Sequence, residues 1–236
     1  MNKGGIQQHL SQSGALDKYR STVCGNKGTK EFLLYEFSTT FISPLPGKFG
    51  IYIRQIIMPL LFNHFGHKII MQQDVAFRQP HQIRIGKNVI LESGVTLDVK
   101  SSSGSIEIHD NVHIGRNTIL SCPGGALVIG RGTRVGKNCR LGSLEGLTIG
   151  QSSVIGDYSC IVGAGHAYSS HKLPIIQQQL TCKGPTVIEN YVEIGKMVTI
   201  LDGVHIGQKT KILTNSLVNK NILSNSTVRG TPAHPV

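Results

Sequence analysis

A regular spacing of aliphatic residues dominates the hydrophobic pattern of the C-terminal two thirds of the chain. From Ile85 onward, an Ile, Leu or Val recurs every six positions, in groups of three. We call these 18 positions the anchors: Ile85, Leu91, Leu97, Ile108, Ile114, Leu120, Ile129, Val135, Leu141, Ile149, Ile155, Ile161, Ile188, Ile194, Ile200, Ile206, Ile212 and Val218. Neither a helical period nor the alternation of a hairpin gives a spacing of six over such a length, so the pattern predicts short strands separated by corners.

Two further positions of each six-residue unit support this prediction. Nine of the 18 anchors are followed directly by Gly, which we interpret as a backbone shape that other residues resist. The fourth residue after each anchor is small or β-branched, except for Glu145. Three units would form one 18-residue coil, and successive coils would stack by parallel strand pairing. The sequence therefore predicts a mainly β fold, a parallel β-helix of hexapeptide repeats.

The spacing between the groups of three predicts where loops leave the β-helix. Insertions of 5, 3, 2, 21 and 0 residues fall between successive groups, all at the same corner if the register holds. Loops that gather on one edge of a solenoid tend to form its binding face. The 21-residue insertion, 167–187, is thus the first place to look for chemistry. Met71 and Phe77 extend the register upstream, so we place the β-helix domain at 69–236 and its catalytic loop at 163–187.

The N-terminal third has a different pattern. Residues 1–28 are polar and rich in Gly, Ser and Gln, which predicts a flexible segment. Two apolar runs within a helical appendage, 29–68, predict helices over 31–42 and 49–65, the second kinked or broken at Pro59. One interpretation is that these helices cap the open end of the β-helix. The other is that they insert shallowly at a membrane surface.

Composition narrows the classes of function. The chain of 236 residues has a net charge of +11, which suits nucleic acid, phosphate groups or an anionic membrane as a partner. We see no nucleic-acid-binding motif and expect no nucleic-acid partner. The five Cys show no CxxC spacing, no apolar signal segment is visible, and no run of 18 apolar residues occurs. We therefore expect a cytoplasmic location, with the inner face of the membrane as a further expectation.

Three segments resemble those of the hexapeptide-repeat acyltransferases, over roughly residues 69–233. GAGHAYSSHKLPI and TVIENYVEIGKMVTILDGVHIG are similar to the catalytic loop of that family and the coils after it, and RGTPAHPV is similar to its closing Gly-x-Pro segment. The chain most resembles the sugar O-acetyltransferases, both the galactoside and maltose types and those of lipopolysaccharide and capsule synthesis. The resemblance implies a left-handed parallel β-helix, a homotrimer with active sites between neighbouring subunits, and acetyl-CoA as the acyl donor.

The resemblance also assigns roles within the loop. It implies that His166 is the general base, which fits the need to take a proton from a sugar hydroxyl as that hydroxyl attacks a thioester. Backbone N–H groups around Gly163 and Gly165 would hold the resulting oxyanion. His171 would bind substrate, support the loop or do neither. Glu145 would orient the imidazole or steer the substrate, or would lie in a solvated turn.

Other chemistry at the loop is not expected. The pair of His166 and His171 resembles a metal-binding arrangement, but no third His is offered by a nearby coil, so we expect no metal. We interpret Cys160 as a small residue of its coil and not as a nucleophile. We therefore expect the acyl group to pass directly from the donor to the acceptor.

The donor site should follow the loop. Coenzyme A carries a pyrophosphate and a 3′-phosphate, which favour cationic side chains and free backbone N–H groups. The candidates are Lys196, Lys220, Arg229 and Gly230, of which Lys220 stands where the related acetyltransferases place a Lys.

The sequence thus predicts an acyl-CoA-dependent O-acyltransferase that acetylates a sugar or a lipid-linked glycan in polysaccharide or lipopolysaccharide synthesis. One alternative is an N-acyltransferase of an amino-sugar on the same fold. Another, from a different class, is a non-catalytic β-helix scaffold or polyanion-binding protein. The long insertion that opens on Gly-His favours an enzyme, because a bare scaffold does not need it.

Overall fold

The chain forms a parallel β-helix that is preceded by short helices. The computed structural model describes residues 14–142, 144–169 and 173–236. The β-helix has seven coils, which we number 1 to 7, and each coil places one short strand in each of three sheets. The mainly β fold of hexapeptide repeats with an N-terminal helical appendage is therefore confirmed.

The three sheets follow one another around each coil, so we call them the first, second and third sheets. The first contains His64–Phe65, Ile83–Ile85, Ser105–Ile108, Ala126–Ile129, Leu147–Ile149, Thr186–Ile188 and His205–Ile206. The second contains Ile70–Met71, Ile90–Leu91, His113–Ile114, Arg134–Val135, Val154–Ile155, Glu193–Ile194, Lys211–Ile212, Thr227–Arg229 and the antiparallel His234–Pro235. The third contains Ala76–Arg78, Thr96–Val99, Ile119–Cys122, Arg140–Gly142, Cys160–Ile161, Thr199–Ile200 and Leu217–Val218.

The anchors form the core of the β-helix. All 18 are buried, and none of them is more than 4% exposed. Anchors of successive coils pair directly in register, as Ile85 pairs with Ile108 and Leu141 pairs with Ile161. Each aliphatic side chain therefore stacks on the one below it and removes its apolar surface from water.

Every insertion lies at one corner, as the spacing predicts. The corner between the third sheet of one coil and the first sheet of the next, which we call the third corner, holds all the residues that exceed the six-residue repeat. The corner between the first and second sheets and the corner between the second and third sheets keep their length throughout the predicted register. The first coil begins with the strand His64–Phe65, which pairs with Ile83–Ile85, so the β-helix starts before the predicted boundary at 69.

Our explanation of the repeated Gly was wrong. The left-handed residues lie three positions after an anchor, where Asn88, Asn111 and Asn138 have φ values of 54°, 61° and 53°. The Gly directly after an anchor is needed instead for close approach between coils. A Cβ on Gly136 would lie 2.6 Å from the backbone nitrogen of Asp157 in the next coil.

The N-terminal region is more helical than the sequence indicated. Helix α1, Ala15–Cys24, occupies much of the segment that we expected to be flexible, and it buries Val23 and Cys24. Residues 1–13 of that segment lie outside the described residues. Helix α2, Thr29–Phe37, continues as a π-helical turn over Ser38–Ile42. Helix α3, Gly47–Ile57, is shorter than predicted, because a 3₁₀ turn over Met58–Leu60 begins just before Pro59.

These helices cover the open end of coil 1. The Tyr35 hydroxyl donates a hydrogen bond to the Phe77 carbonyl at 2.8 Å, and the Ser43 hydroxyl donates to the Val75 carbonyl at 3.0 Å. The Arg54 side chain is 1% exposed and donates to four backbone carbonyls, those of Met71, Ile42, Ser43 and Leu45. Polar groups of the first strands, which have no preceding coil, thus find partners in the helices. Within the described residues, no helix combines the length and apolar character needed to cross a membrane.

Candidate active site

The long insertion folds back on itself above the third corner of coil 5. After the anchor Ile161, the two-residue strand Gly165–His166 pairs in antiparallel fashion with Leu180–Thr181, and the chain re-enters the β-helix at Thr186–Ile188. The Ala167 N–H donates to the Gln179 carbonyl at 2.8 Å, which extends the pairing by one residue. A 3₁₀ turn over Ile175–Gln177 lies in the returning arm. His166 is thus held on a strand rather than at the tip of a free loop.

The imidazole of His166 has a defined partner. Its Nδ1 lies 3.2 Å from the carbonyl oxygen of Gln178, and a carbonyl can only accept a hydrogen bond. The contact therefore favours the tautomer with the proton on Nδ1, in which Nε2 of the neutral ring can accept a proton. Gln178 is itself buried, and its side-chain amide donates to the Leu173 carbonyl at 3.0 Å. The partner of the exposed ring thus favours a tautomer that is compatible with a general base.

A groove lies at the third corner beside the segment that leads to His166. Its volume is about 200 Å³, and it runs across coils 2 to 5 along the outer side of the third sheet. Gly163 and Ala164 form the end of the groove nearest to His166 in the chain, while Lys100 and Arg140 contribute positive charge to its lining. The Lys100 ammonium lies 3.5 Å from the Asp98 carboxylate. The groove could accept a ligand with a negatively charged group and present it next to the loop.

A larger hollow, of about 310 Å³, lies between the N-terminal helices and coil 1. Its lining includes Cys24, Lys27 and His81. Because His166 follows coil 5, we assign the chemistry to the smaller groove and not to this hollow.

The cysteine of the groove is poorly suited to act as a nucleophile. Burial raises the pKa of the Cys160 thiol, and the Arg140 guanidinium only partly opposes this effect. At neutral pH the sulfur is therefore protonated, whereas the thiolate is the reactive form.

Glu145 and His171 are the other two residues that the sequence predicted to act at the loop. Glu145 is exposed in the turn that follows coil 4, as expected for a solvated position. It lies near Cys182, whose thiol pKa is raised first by burial and further by the charges of Asp202 and Glu145. His171 lies outside the described residues. Among the described residues, no three His, Cys, Asp or Glu side chains form a group that could hold a metal ion.

The candidate donor-site residues lie at two different corners. Lys196 lies after the second sheet of coil 6, where its ammonium is 3.5 Å from the Asp157 carboxylate. Arg229 ends the second-sheet strand Thr227–Arg229 and Gly230 follows it, so both lie at this corner. Lys220 is exposed at the third corner, after the last strand of coil 7, and thus at the corner from which the His166 loop departs.

Sequence reasoning missed the groove and the partner of the imidazole. Lys100 and Arg140 are far apart in the chain, but both belong to third-sheet segments that end at the corner with the insertions. The available signal was a cation close to a third-sheet anchor: Lys100 stands three residues after Leu97, and Arg140 directly precedes Leu141. Gln178 acts through its backbone carbonyl, so its residue type gave no signal at all.

Sequence comparison connects the chain to acyl-transferring enzymes. No protein-family model matches it. It is 32% identical over 133 residues to UDP-3-O-acylglucosamine N-acyltransferase of Methylorubrum extorquens, a match that covers 56% of this chain and 32% of that protein. The chain thus spans about a third of this relative. The relatives of this chain are acyltransferases.

Two other relatives are also named as enzymes that transfer acyl groups. A Mycobacterium tuberculosis protein named as an acetyltransferase is 29% identical, over 66% of this chain and 52% of its own length. An Escherichia coli protein named as a lipopolysaccharide biosynthesis O-acetyl transferase is 27% identical, over 56% of this chain and 71% of its own length. The predicted resemblance to sugar acyltransferases is therefore confirmed.

A solved structure shares the fold. AntD, an N-acyltransferase from Bacillus cereus, was solved in complex with dTDP and 3-hydroxybutyryl-CoA. It superposes on this chain with a TM-score of 0.51 at 16% identity, over 78% of this chain and 86% of AntD.

Proposed function

We propose that the chain is an acyl-CoA-dependent O-acyltransferase that acetylates a hydroxyl group of a sugar. The observation that carries this proposal is the hydrogen bond between Nδ1 of His166 and the Gln178 carbonyl, which leaves Nε2 available as a base on the segment that follows the groove residues Gly163 and Ala164. The names of the relatives support transfer of acyl groups, and the name of the E. coli relative supports a hydroxyl acceptor.

The chemistry follows from this arrangement. Nε2 of His166 accepts the proton of the acceptor hydroxyl while the hydroxyl oxygen attacks the thioester carbonyl. The tetrahedral oxyanion is stabilised by backbone N–H groups of the Gly163–Gly165 segment. The intermediate then collapses: the carbon–sulfur bond breaks, the imidazolium returns its proton to the sulfur, and free coenzyme A leaves with the ester formed.

The acceptor belongs in the groove of Lys100 and Arg140. A cationic lining suits a sugar that carries phosphate, such as a nucleotide-linked or lipid-linked sugar, because a guanidinium binds phosphate in a bidentate fashion. The donor belongs at the later coils. Lys220 is the favoured phosphate contact because it shares the third corner with the His166 loop, two coils further on, or about 10 Å at the usual strand spacing. Lys196, Arg229 and Gly230 form a second candidate set at the neighbouring corner.

The active site is completed by a neighbouring subunit in this proposal. Five large apolar side chains of the insertion are half or more exposed: Tyr168, Leu173, Ile175, Ile176 and Leu180. A loop with so much exposed apolar surface is typical of an interface. We propose a homotrimer in which this loop reaches the adjacent β-helix.

The test is acetyl transfer by the purified full chain. The protein is incubated with acetyl-CoA and a panel of nucleotide-linked and lipid-linked sugars, while the release of free thiol and the mass of the product are measured. His166→Ala should lower kcat by about 10²–10⁴-fold, the usual contribution of a general base. His67→Ala, an exposed His on coil 1, is the matched control and should keep full activity. Full activity of folded His166→Ala would refute the assignment of the base.

N-acylation of an amino-sugar is the second candidate. The names of the M. extorquens relative and of AntD favour it. Treatment of the product with mild base separates the two, because an ester is hydrolysed and an amide is not. If no sugar of either kind accepts an acetyl group and acetyl-CoA does not bind, the result would favour the third candidate, a non-catalytic scaffold or polyanion-binding protein.

A further inference from the structure

Seven large apolar side chains form an exposed surface on the N-terminal helices. We call this surface the outer face; its members are Leu33, Phe37, Phe41, Phe49, Tyr52, Ile56 and Leu60, and each is between 49% and 68% exposed. The first three are spaced four residues apart on α2 and the π-helical turn. The last four are spaced three or four apart on α3 and the 3₁₀ turn. Such spacing places each set along one side of its helix.

The two stripes point away from the β-helix. The opposite sides of the same helices contact coil 1, where Tyr35, Arg54 and Met58 are buried. Gln55, which precedes Ile56, donates to the Ile69 carbonyl at 2.8 Å and so fixes the rotation of α3. The rings of Phe37 and Phe41 lie 5.6 Å apart, so this part of the face is continuous. The outer face is therefore a preformed apolar end of the molecule.

The charge around the outer face indicates its partner. Helix α3, with the sequence GKFGIYIRQII, has no acidic residue, and its exposed cation is Lys48, since Arg54 is buried against coil 1. Lys48 is exposed directly beside Phe49. On α2, by contrast, the exposed Lys30 is balanced by Glu31 and Glu36, so the positive charge of this face comes from α3. Two copies joined through this face would bring like charges together in a protein of net charge +11. An anionic lipid surface offers both an apolar interior for the side chains and a negative charge that attracts Lys48 and the net positive charge of the protein.

We propose that the outer face docks the protein on an anionic lipid bilayer, with α2 and α3 lying in the plane of the interface. The aromatic residues suit this depth, because Phe and Tyr rings are favourable at the boundary between headgroups and acyl chains. The proposal does not depend on acyl transfer. If the protein also transfers acyl groups, docking through the outer face would hold the acceptor groove near the membrane, within reach of a lipid-linked sugar.

Vesicle flotation of the full-length protein tests the proposal. Vesicles of phosphatidylcholine and phosphatidylglycerol in equal parts should bind the protein, and vesicles of phosphatidylcholine alone should bind it more weakly. The double variant Phe49→Gln with Ile56→Gln should lower the affinity for the mixed vesicles by at least about tenfold, because two buried apolar side chains are lost. Leu223→Gln, at an 82% exposed position on the last coil, is the matched control and should bind as the wild type does.

Several outcomes would overturn the proposal. One is equal binding of the wild type and the double variant, and another is absence of binding to either vesicle. Equal binding to both kinds of vesicle would overturn the assignment of an anionic surface. If light scattering shows that the double variant loses an oligomer of the wild type, the face is an interface between copies. Circular dichroism confirms that the variant is folded, and its acetyl transfer to a soluble acceptor separates failure of docking from failure of the proposed activity.

Discussion

At the scale of single residues, the turns of the β-helix depend on two different backbone requirements. The residue three positions after an anchor has a left-handed conformation, which Asn tolerates better than most residues. The Gly after an anchor has an ordinary φ but faces the backbone of the next coil. The sequence pattern located both positions. It could not separate their causes, because both requirements select small or flexible residues.

Gly136→Ala tests the close approach. The added Cβ would lie 2.6 Å from the backbone nitrogen of Asp157, which belongs to the next coil and cannot swing aside as a flexible side chain can. We expect the free energy of unfolding to fall by about 1–3 kcal/mol, as in other overpacked sites. Gly165→Ala is the control, since an added Cβ there has no heavy atom within 4 Å. Denaturant unfolding measures the stability of both variants. Equal stability of the two would contradict a close approach between coils at Gly136.

At the scale of elements, prediction succeeded where one spacing repeated many times and failed where a segment stood alone. The six-residue spacing assigned the strands to three faces because a shift of one residue would expose every anchor of a coil. Helix α1 was missed because its sequence, ALDKYRSTVC, is short and polar, and it is held by the burial of Val23 and Cys24 against other elements. The orientation of His166 was also hidden, because it depends on a backbone carbonyl twelve residues away.

Arg54 joins the helical elements to coil 1, and its replacement tests that junction. Arg54→Met keeps the apolar contacts of the side chain but removes the donors to four backbone carbonyls. We expect a loss of about 3 kcal/mol in stability, because buried acceptors lose their partners. Arg131→Met is the control; that side chain is 68% exposed beside Asp110, so the loss should stay below about 1 kcal/mol. A loss for Arg54→Met no larger than that of the control would argue against the junction.

Glu92 links coil 2 to coil 3 and makes part of the stability dependent on pH. Burial raises the pKa of its carboxyl, but hydrogen bonds from His113 and from the Arg116 N–H outweigh it, so the net pKa lies below the ordinary value. The folded state therefore favours the carboxylate, and this contribution is lost as the pH falls through the lowered pKa.

Glu92→Gln should thus be less stable than the wild type at neutral pH, and the difference should shrink as the solution is acidified. Thermal unfolding between neutral and acidic pH measures the difference. Glu193→Gln is the control. It removes a carboxylate whose partner, Lys211, is half exposed, so the loss of stability at neutral pH should be smaller. A difference for Glu92→Gln that stays constant with pH would show that the carboxylate itself is not responsible.

At the scale of the whole molecule, two groups of exposed apolar side chains have separate roles in our proposals. One is the insertion after coil 5, and the other is the outer face beyond coil 1. The first group lies at the third corner and the second at the end of the solenoid, so the two surfaces can act independently. We assign the insertion at the third corner to contact between subunits and the outer face to contact with lipid.

The proposed trimer is tested by mass in solution. Light scattering of the wild type should give three times the chain mass of 25.6 kDa. Ile176→Glu puts a charge at a 79% exposed position of the insertion and should shift the protein toward single chains. Leu223→Glu, at an equally exposed position on the last coil, should leave the mass unchanged. A wild-type protein of single-chain mass would contradict the trimer and the proposed role of the loop.

The confinement of all insertions to the third corner has a consequence for how such a protein can change. Added residues at that corner leave both other corners and every anchor in register, so their main cost is the closure of a longer loop. This cost grows by only about 0.6 kcal/mol for each doubling of loop length. The third corner is therefore a site at which loops can be inserted or exchanged without a change in the fold of the rest of the solenoid.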